Sequence, residues 1–265
     1  MITDQFPQLK GLVLDMDGVL WRDNEAIANL PQIFDTIRKL GLSFVLATNN
    51  STKNVSEYLD KLAGFGVHLE ADKILSSAQV SLSYVQDNYP PEACIYIVGS
   101  DSLIDSFEQN NLKVLDLDES SVCDLVIVGL DIKLTYDKIR YASQLIRNGA
   151  DFLATNTDLT YPVPGGLIPG AGTIVKAIEV ASGKKPLIIG KPETPLFNRA
   201  IKTMQIKTEE AMAVGDRLET DILGAQNAGL LNALVLSGVT SIEEAKQSNL
   251  KIDIIANNLW ELLHV

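Results

Sequence analysis

Eight short apolar runs punctuate the chain: GLVLD from Gly11, SFVLAT from Ser43, CIYIVG from Cys94, DLVIVGL from Asp124, DFLAT from Asp151, PLIIG from Pro186, AMAVG from Ala211 and NALVLS from Asn232. They are nearly continuous rather than alternating, which predicts strands buried on both faces, as in parallel sheets. Between most of them lie stretches with a helical period. Pro31 to Leu40 sets Ile33, Phe34, Ile37 and Leu40 on one face. Tyr136 to Arg147 does the same with Ile139, Ala142, Ser143 and Ile146, and Gly149 marks its end. Strands alternating with helices predict an α/β fold, with parallel sheets covered by helices on both sides.

Ligands of such sheets bind beyond the carboxyl ends of the strands, and polar residues collect there. GLVLD runs into Asp-Met-Asp-Gly, SFVLAT into Asn-Asn-Ser-Thr, PLIIG into Lys-Pro-Glu and AMAVG into Asp-Arg. Two of these ends precede residue 53 and two follow residue 186, with a separate strand–helix alternation between them. The pattern predicts a core domain over residues 1–77 and 187–265, interrupted by a smaller α/β domain over 78–186, with SGKKP at Ser182 as a linker.

Two runs share a continuation. FVLATNNST from Phe44 and FLATNTDLT from Phe152 both follow a helix end and a glycine, in IRKLGLS and IRNGAD. In the first copy Thr48, Asn49 and Asn50 supply a hydroxyl, amides and backbone N–H donors at a strand-to-helix turn, where phosphate binds readily. In the second, Asn156 and Asp158 either approach a substrate from the inserted domain or cap a plain strand-terminating turn.

Composition narrows the partners. Hydrophobic residues make up 46% of the 265, enough for a substantial core, and a net charge of −12 disfavours nucleic acid and anionic membrane. An anionic ligand must therefore be met locally, by a metal ion, a lysine or backbone N–H groups. The N-terminal residues carry no basic start followed by an apolar core, and no apolar run approaches the roughly 20 residues of a membrane span. Cys94 and Cys123 sit in apolar runs without a CxxC partner and read as reduced core thiols. The expectation is a cytoplasmic protein.

Asp15 and Asp17 share one side of an extended chain. As a pair they either cap a loop or call for a bound cation or a shared proton. Asp216 could add a third carboxylate, a hard-oxygen set suited to Mg²⁺. Asp221 either supports that set or is an acid favoured by the dipole at a helix start. Lys191, between Gly190 and Pro192, is either a surface charge or a fixed cation. Together these residues make a cation site, a phosphate cradle with Thr48 and Lys191, and a nucleophile, Asp15. Asp17 would protonate the leaving group and then activate water.

Asp15-Met-Asp-Gly-Val-Leu, Thr48-Asn-Asn, Lys191-Pro and Gly215-Asp216-Arg-Leu-Glu-Thr-Asp221 resemble the four ordered motifs of the haloacid dehalogenase superfamily. TNNST, GLD, GLIPGAG, GKPETPLF and the insertion between the second and third motifs resemble its NagD-like, 4-nitrophenylphosphatase-like branch. The resemblance spans essentially the whole chain. It implies a Mg²⁺-dependent phosphatase of small phosphorylated metabolites with a Rossmann-like core and an α/β cap, of a kind that often supports homodimers. It implies Asp15 as nucleophile and Asp17 as general acid/base. Asp15, the Asp17 backbone carbonyl and Asp216 would hold the metal, and Thr48, Asn49 and Lys191 the phosphate. The superfamily's dehalogenases lack the second aspartate of the first motif, so Asp17 points to phosphoryl chemistry. A phosphotransferase using the same aspartyl-phosphate, and a non-catalytic phosphometabolite-binding protein, are the alternatives.

Other features carry less. PGGLIPGAG from Pro164 has Val175 where a dinucleotide fingerprint needs its third glycine, and SGKKP lacks the Ser/Thr and upstream glycine of a P-loop. His68 and His264 read as surface residues. Trp21 is either core packing or an apolar wall beside the leaving group.

Overall fold

A computed structural model describes residues 1–163 and 165–265; Pro164, which opens the glycine-rich stretch, lies outside the described residues. All eight apolar runs form strands, in an α/β architecture with two parallel sheets. Contacts divide the chain into two units, one of residues 1–48, 55–75 and 191–265, the other of residues 49–54 and 76–190.

The first unit holds a six-stranded sheet in the order Ile254–Ala256, Leu231–Val235, Ala211–Gly215, Gly11–Leu14, Ser43–Thr48, Ile74–Ser76. Gly11–Leu14 is central, buried at every residue, and parallel to both neighbours. The helix Leu30–Lys39 covers one face with Leu30, Ile33, Phe34 and Ile37. Asn29 caps it by accepting from the Gln32 N–H at 3.1 Å, and Pro31 stands in its first turn, where no N–H partner is required. The sequence pattern missed Ile254–Ala256 and Ile74–Ser76, which are only three residues long and too short to show a period.

The second unit holds a five-stranded parallel sheet in the order Leu187–Ile188, Asp151–Ala154, Leu125–Val128, Cys94–Val98, Lys113–Val114. The helix Tyr136–Arg147 matches the predicted span, with Thr135 as its cap. Leu187–Ile188, read with the core from the sequence, pairs instead with Leu153–Ala154, and the chain returns to the first unit at Lys191. An apolar run of this length states that it is buried in a sheet but not in which sheet. The glycine-rich stretch supplies the strand Gly166–Pro169, antiparallel to Thr160–Val163, and then the N-cap Gly170 of the helix Ala171–Ser182.

The two Ala-Thr-Asn loops meet inside this second unit. Asn156 Nδ2 donates to the Asn49 carbonyl at 2.8 Å, and Asn49 Nδ2 donates to Asp158 Oδ1 at 3.0 Å. Thr155 Oγ1 donates to Ser51 Oγ at 3.2 Å, while Ser77 Oγ donates to the Asn49 carbonyl at 2.6 Å. Asn156 Oδ1 accepts from the Asp158 N–H at 3.1 Å, and Gly172 N–H bonds the Asp158 carbonyl at 2.9 Å. Asn49, Ser51, Ser77, Thr155 and Asn156 are all buried. Buried polar groups must find partners, and this network is why residues 49–54 belong with the insert. Asn156→Ala removes its amide contacts to Asn49, Thr155 and Asp158 and should cost about 1–3 kcal/mol. In urea unfolding this appears as a lower midpoint; an unchanged midpoint would mean that water replaces the lost bonds.

Candidate active site

Strand register builds the site. Leu14 lies opposite both Leu46 and Val214, so the three central strands leave the sheet at one edge. Asp15, Thr48 and Asp216 occupy those exits, with the Asp15 N–H still bonded to the Val214 carbonyl at 2.9 Å. Thr48 ends its strand as a buried residue.

Lys191 is the centre of the group. It is buried, and its Nζ lies 2.5 Å from Asp15 Oδ1, 2.6 Å from Asp221 Oδ1 and 3.4 Å from the Ala47 carbonyl. The surface-charge alternative for this lysine is thereby removed. Burial disfavours its charge, but Asp15 and Asp221 outweigh burial and hold the ammonium protonated. Asp15 is pushed well above the usual carboxylate range by burial, against Lys191 and with Asp221 and Asp216 adding to the rise.

Asp221 sits in the π-helical turn Leu218–Ile222. Its Oδ2 accepts from the Arg217 N–H at 3.1 Å and its Oδ1 from Lys191, and it stands both in the first turn of that helix and beside Asp15 and Asp216. Asp216 is held by residues the motif reading missed. Val239 N–H donates to its Oδ2 at 2.7 Å and Thr240 N–H to its carbonyl at 3.1 Å. Gly18, with φ of +84°, backs directly onto the Asp216 carboxylate, as does Gly238; a Cβ at either would collide with it. Ser237 Oγ donates to the Gly18 carbonyl at 2.7 Å and ties the two loops together. The signal for this loop was present, since Ser237-Gly-Val-Thr follows the strand Leu231–Val235 at the same sheet edge.

Asp15, Asp216 and Asp221 each bring a carboxylate oxygen within 4.8 Å of the others. Asp216 Oδ1 is buried and has no hydrogen-bond partner. One ammonium against three carboxylates leaves negative charge uncompensated, and an orphaned buried acceptor completes the case for a hard cation. The residues fit Mg²⁺, with Asp221 in the cluster and the Asp17 carboxylate outside it. Asp17 is exposed, and its Oδ1 accepts from Trp21 Nε1 at 2.8 Å. Trp21 itself is core packing, fully buried in the first unit's hydrophobic cluster. Asn49 and Asn50 fall in the second unit, where Asn50 Oδ1 accepts from the Thr52 N–H at 2.9 Å. His68 and His264 are exposed.

Comparison with known proteins follows the same residues. A haloacid dehalogenase-like hydrolase family model matches residues 12–113, and a second, HAD-hydrolase-like model matches 188–262. The acid sugar phosphatase of Staphylococcus saprophyticus is 32% identical over 254 residues, covering 96% of each chain. The 4-nitrophenylphosphatase of Thermotoga maritima superposes with a TM-score of 0.89 at 30% identity, covering 100% of this chain and 99% of that one. NagD from E. coli K-12 superposes with a TM-score of 0.86 at 31% identity, covering 96% of this chain and 98% of that one.

Burial, with Asp221 beside it, raises the Asp216 carboxyl to about 6. Between about pH 4 and that value the folded chain holds a proton that the unfolded chain has lost, so metal-free stability falls as pH rises through this window, by up to ~3 kcal/mol. Asp216→Asn keeps an acceptor for Val239 and lacks the charge. In EDTA at pH 7.5 this variant should melt above the native chain, with the gap closing as the pH is lowered toward about 4. Added Mg²⁺ should raise the melting temperature of the native chain and not that of the variant.

Proposed function

Since the chain belongs to the haloacid dehalogenase-like hydrolase family, in its NagD-like branch, and is a phosphoric monoester hydrolase, we propose that it acts on small phosphorylated metabolites with Mg²⁺ and through a phosphoryl group carried on Asp15. The observation that carries this reading is the buried Lys191 ammonium between Asp15 and Asp221, beside the unpartnered oxygen of Asp216. That arrangement holds a carboxylate in place and leaves room in its charge balance for a cation. The acid sugar phosphatase and 4-nitrophenylphosphatase relatives support a small monoester as substrate.

In this mechanism an Asp15 carboxylate oxygen attacks phosphorus as the ester P–O bond breaks, and Asp17 gives its proton to the leaving oxygen. Water then attacks the aspartyl-phosphate, Asp17 takes up the water proton, and inorganic phosphate leaves with Asp15 restored. Lys191 orients Asp15 throughout and, with Thr48, offers donors to the phosphoryl oxygens. Burial keeps these contacts strong by excluding competing water. Bound Mg²⁺, held by Asp15 and Asp216 with Asp221 in support, would offset the repulsion between carboxylate and phosphate.

The purified chain should hydrolyse p-nitrophenyl phosphate in the presence of Mg²⁺ and lose that activity in EDTA. Asp15→Asn should lower kcat by about 10³-fold or more, since the nucleophile's chemistry is lost while binding remains. Acid-quenched native enzyme should carry phosphate on the peptide that contains Asp15. Activity that survives EDTA, or phosphate trapped on another residue, would refute the assignment.

A further inference from the structure

We infer that Trp21 is a positioning residue that decides which oxygen of Asp17 carries the proton; this rests on the reading of Asp17 as general acid/base. Asp17 differs from the other acids of the site. It is exposed and stands outside the three-carboxylate cluster, so neither Lys191 nor a metal bound by those residues fixes it. An exposed carboxyl rotates broadly about its last torsion, yet general acid catalysis needs an oxygen aimed at one point. Trp21 Nε1 supplies the missing constraint at 2.8 Å from Asp17 Oδ1.

The donor is itself immobilised. The Trp21 ring is fully buried and stacks on Phe65 with centroids 6.0 Å apart. Lys61 Nζ lies 4.3 Å from the ring centroid and donates to the Asp23 carbonyl at 2.6 Å, so it covers the ring as a cation–π partner that is itself tied down. The backbone closes the same turn, with the Gly18 N–H bonded to the Trp21 carbonyl at 2.8 Å. Indole N–H can only donate. The Asp17 oxygen facing it must therefore accept; a carboxyl's carbonyl oxygen accepts better than its hydroxyl, which favours the transferable proton on Oδ2. The turn from Asp17 to Trp21 thus converts a free carboxyl into an oriented acid. In the first half-reaction Oδ2–H passes its proton to the leaving oxygen as the ester bond breaks. In the second, the same oxygen takes the proton of the attacking water.

Orientation of an acid matters in proportion to the leaving group's need for a proton. In Mg²⁺-loaded enzyme, Trp21→Phe keeps the packing and removes the donor. Its kcat/KM for glycerol phosphate should fall about 10–100-fold, while that for p-nitrophenyl phosphate, whose leaving group departs unprotonated, should fall less than about 3-fold. A merely structural role would lower both alike, and that result would overturn the inference, as would no change in either. If Trp21→Phe fails to fold, 3-benzothienylalanine at position 21 keeps the bicyclic shape with sulfur in place of N–H, and the same two ratios apply. Asp17→Asn separates the two levels of the argument. Without selective loss on glycerol phosphate in Asp17→Asn, the acid/base reading itself fails. With that loss in Asp17→Asn but not at position 21, only the positioning role fails. Trp21→Phe should add no further selectivity in the Asp17→Asn background.

Discussion

A buried ammonium needs carboxylates, and those carboxylates then need more positive charge than one lysine supplies. This constraint organises the first unit. Desolvating Lys191 is tolerable only because Asp15 and Asp221 both contact it, at 2.5 and 2.6 Å. Burial, with those acids brought together beside Asp216, raises both Asp15 and Asp216 above the ordinary carboxylate range. The excess negative charge is costly to stability and useful to chemistry. A hydrophobic replacement of similar volume could pack better, but it would hold neither a nucleophile nor a cation.

The supporting features follow from that cost. Two glycines let the backbone of two loops approach the Asp216 carboxylate, and Val239 N–H takes one of its oxygens. Arg217 N–H takes an oxygen of Asp221. Asp216 Oδ1 is left over, buried and without a hydrogen bond. Donors were placed against several of the neighbouring acceptors and not against this one, which is the pattern of a site built to receive a ligand rather than to seal a core.

Much of this was legible in the chain. Continuous apolar runs announced parallel strands, and acids, amides and a lysine just past four of them announced the sheet edge where chemistry occurs. What stayed hidden was pairing. PLIIG reads the same whether it joins one sheet or another, because a run of apolar residues encodes burial and not its neighbour. Leu187–Ile188 joined the insert, and Lys191, two residues past that strand's last neighbour Ile189, opens the return to the first unit. The Asp216 support at Val239 was hidden for a related reason, since a backbone N–H leaves no mark on the side-chain pattern. In the sequence Trp21 shows only as core or wall, and the reach of its indole N–H leaves no mark there, because a single buried tryptophan is usually explained by its area alone.

The repeated Ala-Thr-Asn shows why a duplicated motif need not mean a duplicated function. Both copies end a strand in a parallel sheet, where the backbone presents polar groups that must be satisfied. In the second copy both ends of the Asn156 amide are engaged within the insert, one of them on the carbonyl of Asn49 in the first copy. One loop therefore serves as the other's support, and residues 49–54 follow the insert although Thr48, the residue before them, ends a strand of the first unit. Asn49, the first residue of that segment, is held on both its carbonyl and its side-chain amide by residues of the insert. The physical consequence of the repeat is thus one strand-end design used twice, the second copy satisfying the polar groups of residues 49–54 within the insert.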